Sequence, residues 1–157
     1  MGKLIRNLFV GAAAGAAGTT ALNAATYVDM VVRARPASST PQETVRKLSE
    51  STGIAIPGDD EQQKNRIEGL GPLLGISAGV LTGAVLGVAR GLGWRPSAFT
   101  AALVPAAVAL VAGNAPMTVL KVTDPRKWSA SDWVSDVLPH LAFGVTAGSI
   151  LRSPHDH

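Results

Sequence analysis

Residues 69–120 carry only two charged side chains, Arg90 and Arg95, and both sit at the short turn Gly91-Leu92-Gly93-Trp94-Arg95-Pro96. The flanking runs, 69–93 and 97–120, are apolar on every face. A helix at the surface of a soluble protein keeps its apolar side chains to one stripe. A bilayer core about 30 Å thick needs roughly 20 apolar residues in a helix to cross it. The two runs are therefore expected to be consecutive transmembrane helices, paired antiparallel across the turn. A soluble helical bundle does not fit them.

Two further segments have the same character. Residues 7–32 open after Lys3 and Arg6 and close at Arg33 and Arg35. The basic start followed by L-F-V-G-A-A-A-G-A-A has the look of a signal peptide, but the apolar run continues through Val32 without a small-x-small cleavage site, which favours a mature helix. Residues 133–151 form the shortest segment, with Asp132, Asp136 and His140 at its start. The expected fold class is all-α: a multi-pass transmembrane four-helix bundle, with residues 1–157 as one integral membrane domain. Only 16% of the residues are charged, where soluble domains carry about 25%. There is no cysteine, so disulfides, thiolate metal sites and cysteine nucleophiles are excluded. The net charge of +3 comes from basic residues beside apolar runs, a placement that suits lipid headgroups better than nucleic acid.

The third constraint is a glycine stripe: Gly75, Gly79, Gly83, Gly87 and Gly91 recur at every fourth position. Glycine costs a helix in water about 1 kcal/mol relative to alanine. In lipid, helix association relies on close van der Waals packing, and small residues permit it. The stripe is expected to form a groove that receives another backbone. Gly11-A-A-A-Gly15 and Gly144-V-T-A-Gly148 are shorter versions on the first and fourth helices. The groove serves either packing within one bundle or self-association, with packing within the bundle the preferred reading.

The chain also reads as two similar helix–linker–helix repeats. Gly75-I-S-A-Gly79 matches Gly144-V-T-A-Gly148, and Asn23-Ala24 matches Asn114-Ala115. Pro36-A-S-S-T-P-Q-E-T-Val45 matches Pro125-R-K-W-S-A-S-D-W-Val134, each with a hydroxyl and a carboxylate at capping-box spacing. The polar linker 33–68 holds six basic and six acidic residues and reads as a solvated face. Within it, Thr40–Glu50 is expected to be a short amphipathic helix at the membrane surface, with Val45 and Leu48 on one side, followed by a turn and a charged run to Arg66. Helix count puts linkers 33–68 and 121–132 on one side of the membrane and both termini on the other. Basic residues on the two sides give opposing orientation signals.

Ionisable groups in transmembrane segments are costly and are functional candidates by default. Asp29, Asp136 and His140, with Asn23 and Asn114 deeper, are the candidates for a polar vestibule on the linker side. The structural alternative pairs Asp29 with a basic residue, uses Asp132 as a cap, and leaves His140, Trp128 and Trp133 at headgroup level. No metal site is expected: Asp136 and His140 supply two ligands, and His155 and His157 lie in a terminal tail. No phosphate loop, nucleotide fingerprint, H-E-x-x-H or serine-triad pattern occurs, so neither an enzyme nor a cofactor is expected.

The stretch Trp128-S-A-S-D-W-V-S-D-V-L-P-His140-L-A-F-G-V-T-A-Gly148 resembles the C-terminal region of YagU-like bacterial inner-membrane proteins. The resemblance implies a small multi-pass protein of the plasma (inner) membrane, with undefined activity and a link to acid tolerance. It covers mainly the last quarter of the chain and carries over no catalytic residue; Asp136 and His140 fall where the family has a polar pair. The functional expectation is a non-enzymatic structural or accessory component of a membrane or membrane complex. Its partners would be the lipid bilayer and either further copies of itself or other membrane proteins. The alternative is a homo-oligomeric channel or transporter for protons, ions or a small solute.

Overall fold

Three of the helices start where a polar side chain accepts a hydrogen bond from the first free backbone N–H groups. In the computed structural model, which describes residues 2–153, Asp59 accepts from the Gln62 N–H, Ser97 from Thr100 and Ser129 from Asp132. Five α-helices result: α1 (Gly2–Arg33), α2 (Thr40–Thr52), α3 (Asp60–Gly91), α4 (Ala98–Val119) and α5 (Ala130–Arg152), with a 3-10 turn at Pro125–Lys127. No strand occurs among the described residues.

The bounds differ from the sequence reading in instructive ways. The charged run after Asp59 was expected to be a linker, yet it forms the first turns of α3. The Asp59 cap, followed by Asp60 and Glu61 in the first turn, sets the helix going, because carboxylates there complement the N-terminal dipole. At 32 residues each, α1 and α3 are roughly 48 Å long at 1.5 Å per residue, well beyond a bilayer core of about 30 Å. The capping box expected at Thr40 and Glu43 is absent: the cap position is Ser39, without a side-chain bond to the backbone, and the Thr40 N–H donates to Ser38 Oγ. The matching box at Ser129 and Asp132 is present in both directions. Helix α2 does more than lie at a surface. It packs on α3, where a methyl group on Gly71 would come within 3.2 Å of the Gln42 nitrogen, and it buries Thr44 and Val45.

Helices α1, α3, α4 and α5 are all long and apolar enough to cross a membrane. At most 33% of the apolar window of any of them is buried. Phe9, Val31, Val32, Leu81, Val85, Phe99 and Val111 all have 60% or more of their surface exposed. An apolar belt of that extent is a liability in water and matches a lipid solvent. The chain is a multi-pass membrane protein.

The four helices run up-down-up-down. Helix α1 lies between α3 and α5, α4 packs chiefly on α5, and the α3–α4 side is the looser one. Residues 69–93 and 97–120 are thus antiparallel neighbours across their turn, but each has its main partner elsewhere. The centre of the core is Phe143 of α5, fully buried with Ala14, Leu86, Ala109, Ala147 and Leu151. Its ring fits because α1 and α3 carry glycine there: a methyl on Gly18 would lie 2.8 Å from the ring and one on Gly79 3.3 Å from it.

Both halves are small-residue hairpins, but they pack in different registers. Matching Asn23 with Asn114 puts Gly11 on Ala102, and matching Gly75 with Gly144 puts Gly79 on Gly148. In the first half Gly83 faces the Gly11 oxygen, whereas in the second it is Gly144, the counterpart of Gly75, that faces the Ala102 oxygen. The two hairpins are therefore displaced by about two helical turns relative to each other.

Candidate functional site

The glycine stripe lies against α1. A methyl group on Gly83 would fall 2.2 Å from the Gly11 carbonyl oxygen, one on Gly87 2.1 Å from that of Asn7, and one on Gly79 2.0 Å from Thr19 Oγ1. Reciprocally, methyls on Gly11 and Gly15 would lie 2.3 and 2.4 Å from the carbonyl oxygens of Gly83 and Gly79. The two backbones thus lie too close to admit a side chain at these positions, the kind of approach at which Cα–H···O contacts form. Gly91 meets the Leu4 side chain, and Gly75 has nothing within 4 Å. On the α4–α5 seam a methyl on Gly144 would lie 2.2 Å from the Ala102 oxygen, and one on Gly148 1.9 Å from that of Ala101. The last approach has a local cause. Pro105, fully buried in α4, has no N–H to give the carbonyl four residues back, which leaves the Ala101 oxygen facing α5.

The linker-side polar residues form two groups on two sides of α5. In the first, Asp29 receives Arg33 at 2.7 Å and Arg35 at 2.5 Å. Arg35 reaches it because α1 ends at Arg33 and the next residue, Ala34, has a φ of +49° that turns the chain back and lets the Arg35 N–H donate to the Met30 carbonyl at 3.2 Å. Arg33 also donates to Ser131 Oγ at 2.7 Å and to Ser135 Oγ. The group ties the C-terminus of α1 to the N-terminus of α5. Cations at a helix C-terminus also complement its dipole.

In the second group Asn114 of α4 donates to Asp136 Oδ2 at 2.7 Å. His140 Nδ1 lies 2.7 Å from the Asp136 carbonyl oxygen and 3.5 Å from its carboxylate. A carbonyl only accepts, so a neutral His140 carries its hydrogen on Nδ1 and leaves Nε2 as the free base. That nitrogen faces Gly113, where a methyl would lie 3.8 Å away. The Asp136 and His140 side chains keep 22% and 14% of their surface exposed.

Asn23 is half-buried and joins neither group. Asp132 is taken up by the Ser129 cap. Trp128 donates its indole N–H to Thr123 Oγ1 at 2.8 Å and packs edge-on against Trp133, ring centres 5.0 Å apart. In the same connector, hydrogen bonds from the Arg126 guanidinium hold the Asp124 carboxyl below its ordinary pKa. His155 and His157 lie outside the described residues. Ser131 and Ser135, which complete the Asp29 group, were not singled out from sequence; their spacing of four from a capped helix start was the available signal. Gly18 and Phe143 were also missed, although Gly18 continues the Gly11–Gly15 series at helical spacing.

Compared with protein-family models, curated proteins and solved structures, the chain matches none of them.

Proposed function

We propose that the chain is a non-enzymatic structural or accessory protein of the plasma (inner) membrane, working as a folded single chain alone or beside other membrane proteins. The observation that carries this reading is the occupied glycine groove. The feature best suited to drive self-association, Gly79-x3-Gly83-x3-Gly87, faces α1 of the same chain. Both acidic vestibule candidates, Asp29 and Asp136, have protein partners, as expected of groups that hold helices together. The likeness of residues 128–148 to YagU-like proteins points the same way.

The second reading, a proton or ion pathway, draws on the Asn114–Asp136–His140 chain, which has a titratable base within the α4–α5 seam. Reconstitution into liposomes under a pH gradient separates the two. The accessory reading expects dissipation no faster than in empty liposomes. A leak that His140→Ala abolishes in a folded protein would replace it with the pathway reading.

A further inference from the structure

The termini-side end of the bundle carries Lys3, Arg6, Arg90, Arg95 and Arg152 and, among the described residues, no Asp or Glu. The same end holds a groove of about 420 Å³ between α4 and α5, lined by Ala98, Ala102, Val145, Gly148, Ser149 and Arg152. This is within the range of about 300–1,000 Å³ typical of small-ligand sites. Its floor is low because Gly148 and Ala102 have little or no side chain. Its walls make no polar demand: the Ser149 hydroxyl donates to the Val145 carbonyl at 2.7 Å and that of Ser153 to the Ser149 carbonyl at 3.1 Å. From Val145 to Arg152 the groove rises about 10 Å along α5 at 1.5 Å per residue. Arg152 closes its outer end, is exposed, and makes no hydrogen bond or ion pair with another described residue. Arg90 and Arg95, by contrast, each donate to backbone carbonyls.

We propose that this groove binds one anionic phospholipid, its phosphate on Arg152 and one acyl chain along Ala98, Ala102, Gly148 and Val145. An apolar channel open to lipid on one side and ending in a guanidinium that has no partner among the described residues complements that molecule. A soluble anion would leave the channel empty, and a zwitterionic lipid brings a positive group beside Arg152 that weakens its hold on the phosphate.

Trp94 reports on the site, since it lines a small neighbouring cavity together with Gly148 and Arg152. The Trp128→Phe/Trp133→Phe protein in nanodiscs leaves Trp94 as the sole tryptophan, whose selectively excited emission is then quenched by brominated phosphatidylglycerol or brominated phosphatidylcholine. Preferential quenching by phosphatidylglycerol is expected, by about five-fold in relative affinity, the ratio that one interfacial arginine confers. Arg152→Gln should bring that ratio to about one, whereas Arg95→Gln, at the same end but outside the groove, should leave it high. Ala98→Leu, a substitution at an exposed position, should fill the channel and reduce quenching by both lipids. Equal quenching by the two lipids in the parent protein overturns the proposal. So does an equal effect of Arg95→Gln and Arg152→Gln, which marks a diffuse basic belt. Displacement of phosphatidylglycerol by excess inorganic phosphate overturns it as well, because the acyl chain is then not held. Should Arg152→Gln fail to fold, the Ala98→Leu result decides.

Discussion

Two glycines of one stripe, Gly83 and Gly75, should respond in opposite ways to alanine. A methyl group at position 83 would sit 2.2 Å from the Gly11 carbonyl oxygen and 2.6 Å from the Gly15 Cα. A carbon and a carbonyl oxygen in contact are ordinarily about 3.3–3.6 Å apart, and both neighbours are backbone, which cannot rotate away. Helices α1 and α3 must therefore move apart by about 1 Å, and a gap of that size forfeits a quarter to a half of each atom-pair attraction of 0.1–0.2 kcal/mol. Over the few tens of atom pairs along the seam, the loss is about 2–3 kcal/mol, in line with overpacked cores. Alanine's better helix propensity returns up to about 1 kcal/mol. Gly83→Ala should thus destabilise by about 1–2 kcal/mol net. At Gly75 nothing lies within 4 Å, so Gly75→Ala keeps only the propensity gain and should be neutral or stabilising by up to about 1 kcal/mol. Reversible unfolding in mixed micelles, followed by far-UV circular dichroism, measures both. Equal destabilisation by the two substitutions, or a neutral Gly83→Ala, would refute the assignment of α1 to the groove.

Phe143→Ala empties the core where α1, α3 and α5 meet and should cost about 3–5 kcal/mol in the same unfolding measurement. Ser129→Ala removes half of the only reciprocal capping box among the described residues and should cost about 1 kcal/mol, while Thr40→Ala, at a position that caps nothing, should cost less than half of that. Ala34→Gly relieves a left-handed alanine and should stabilise by up to about 1 kcal/mol, provided the glycine's own entropy cost does not cancel it; a loss greater than 1 kcal/mol would contradict the strain.

The membrane class and the four crossings were legible because charge segregation and uniform apolarity are properties of the sequence itself. Helix bounds near the linkers were less so. The Asp59 cap and the charged turn after it look like a linker until α2 packs on α3 and holds that extension in place. The glycine stripe advertised close packing, but not which helix would fill it, since Gly11, Gly15 and Gly18 of α1 and any second copy of the chain offer similar small surfaces. The polar edge was legible residue by residue and not as an arrangement. Asp29 and Asp136 fall on the same end by helix count, yet Ser135 turns one side of α5 to α1 while Asp136 turns the next to α4, a division set by 100° per residue and by the docking of both neighbours.

The most direct test of the account is the mass of the intact particle, read by native mass spectrometry after gentle release of the untagged protein from its own membrane. The occupied groove predicts one copy of the chain, alone or with other proteins. A defined homo-oligomer that Gly83→Leu disperses into folded monomers would contradict it, because the stripe would then lie between copies.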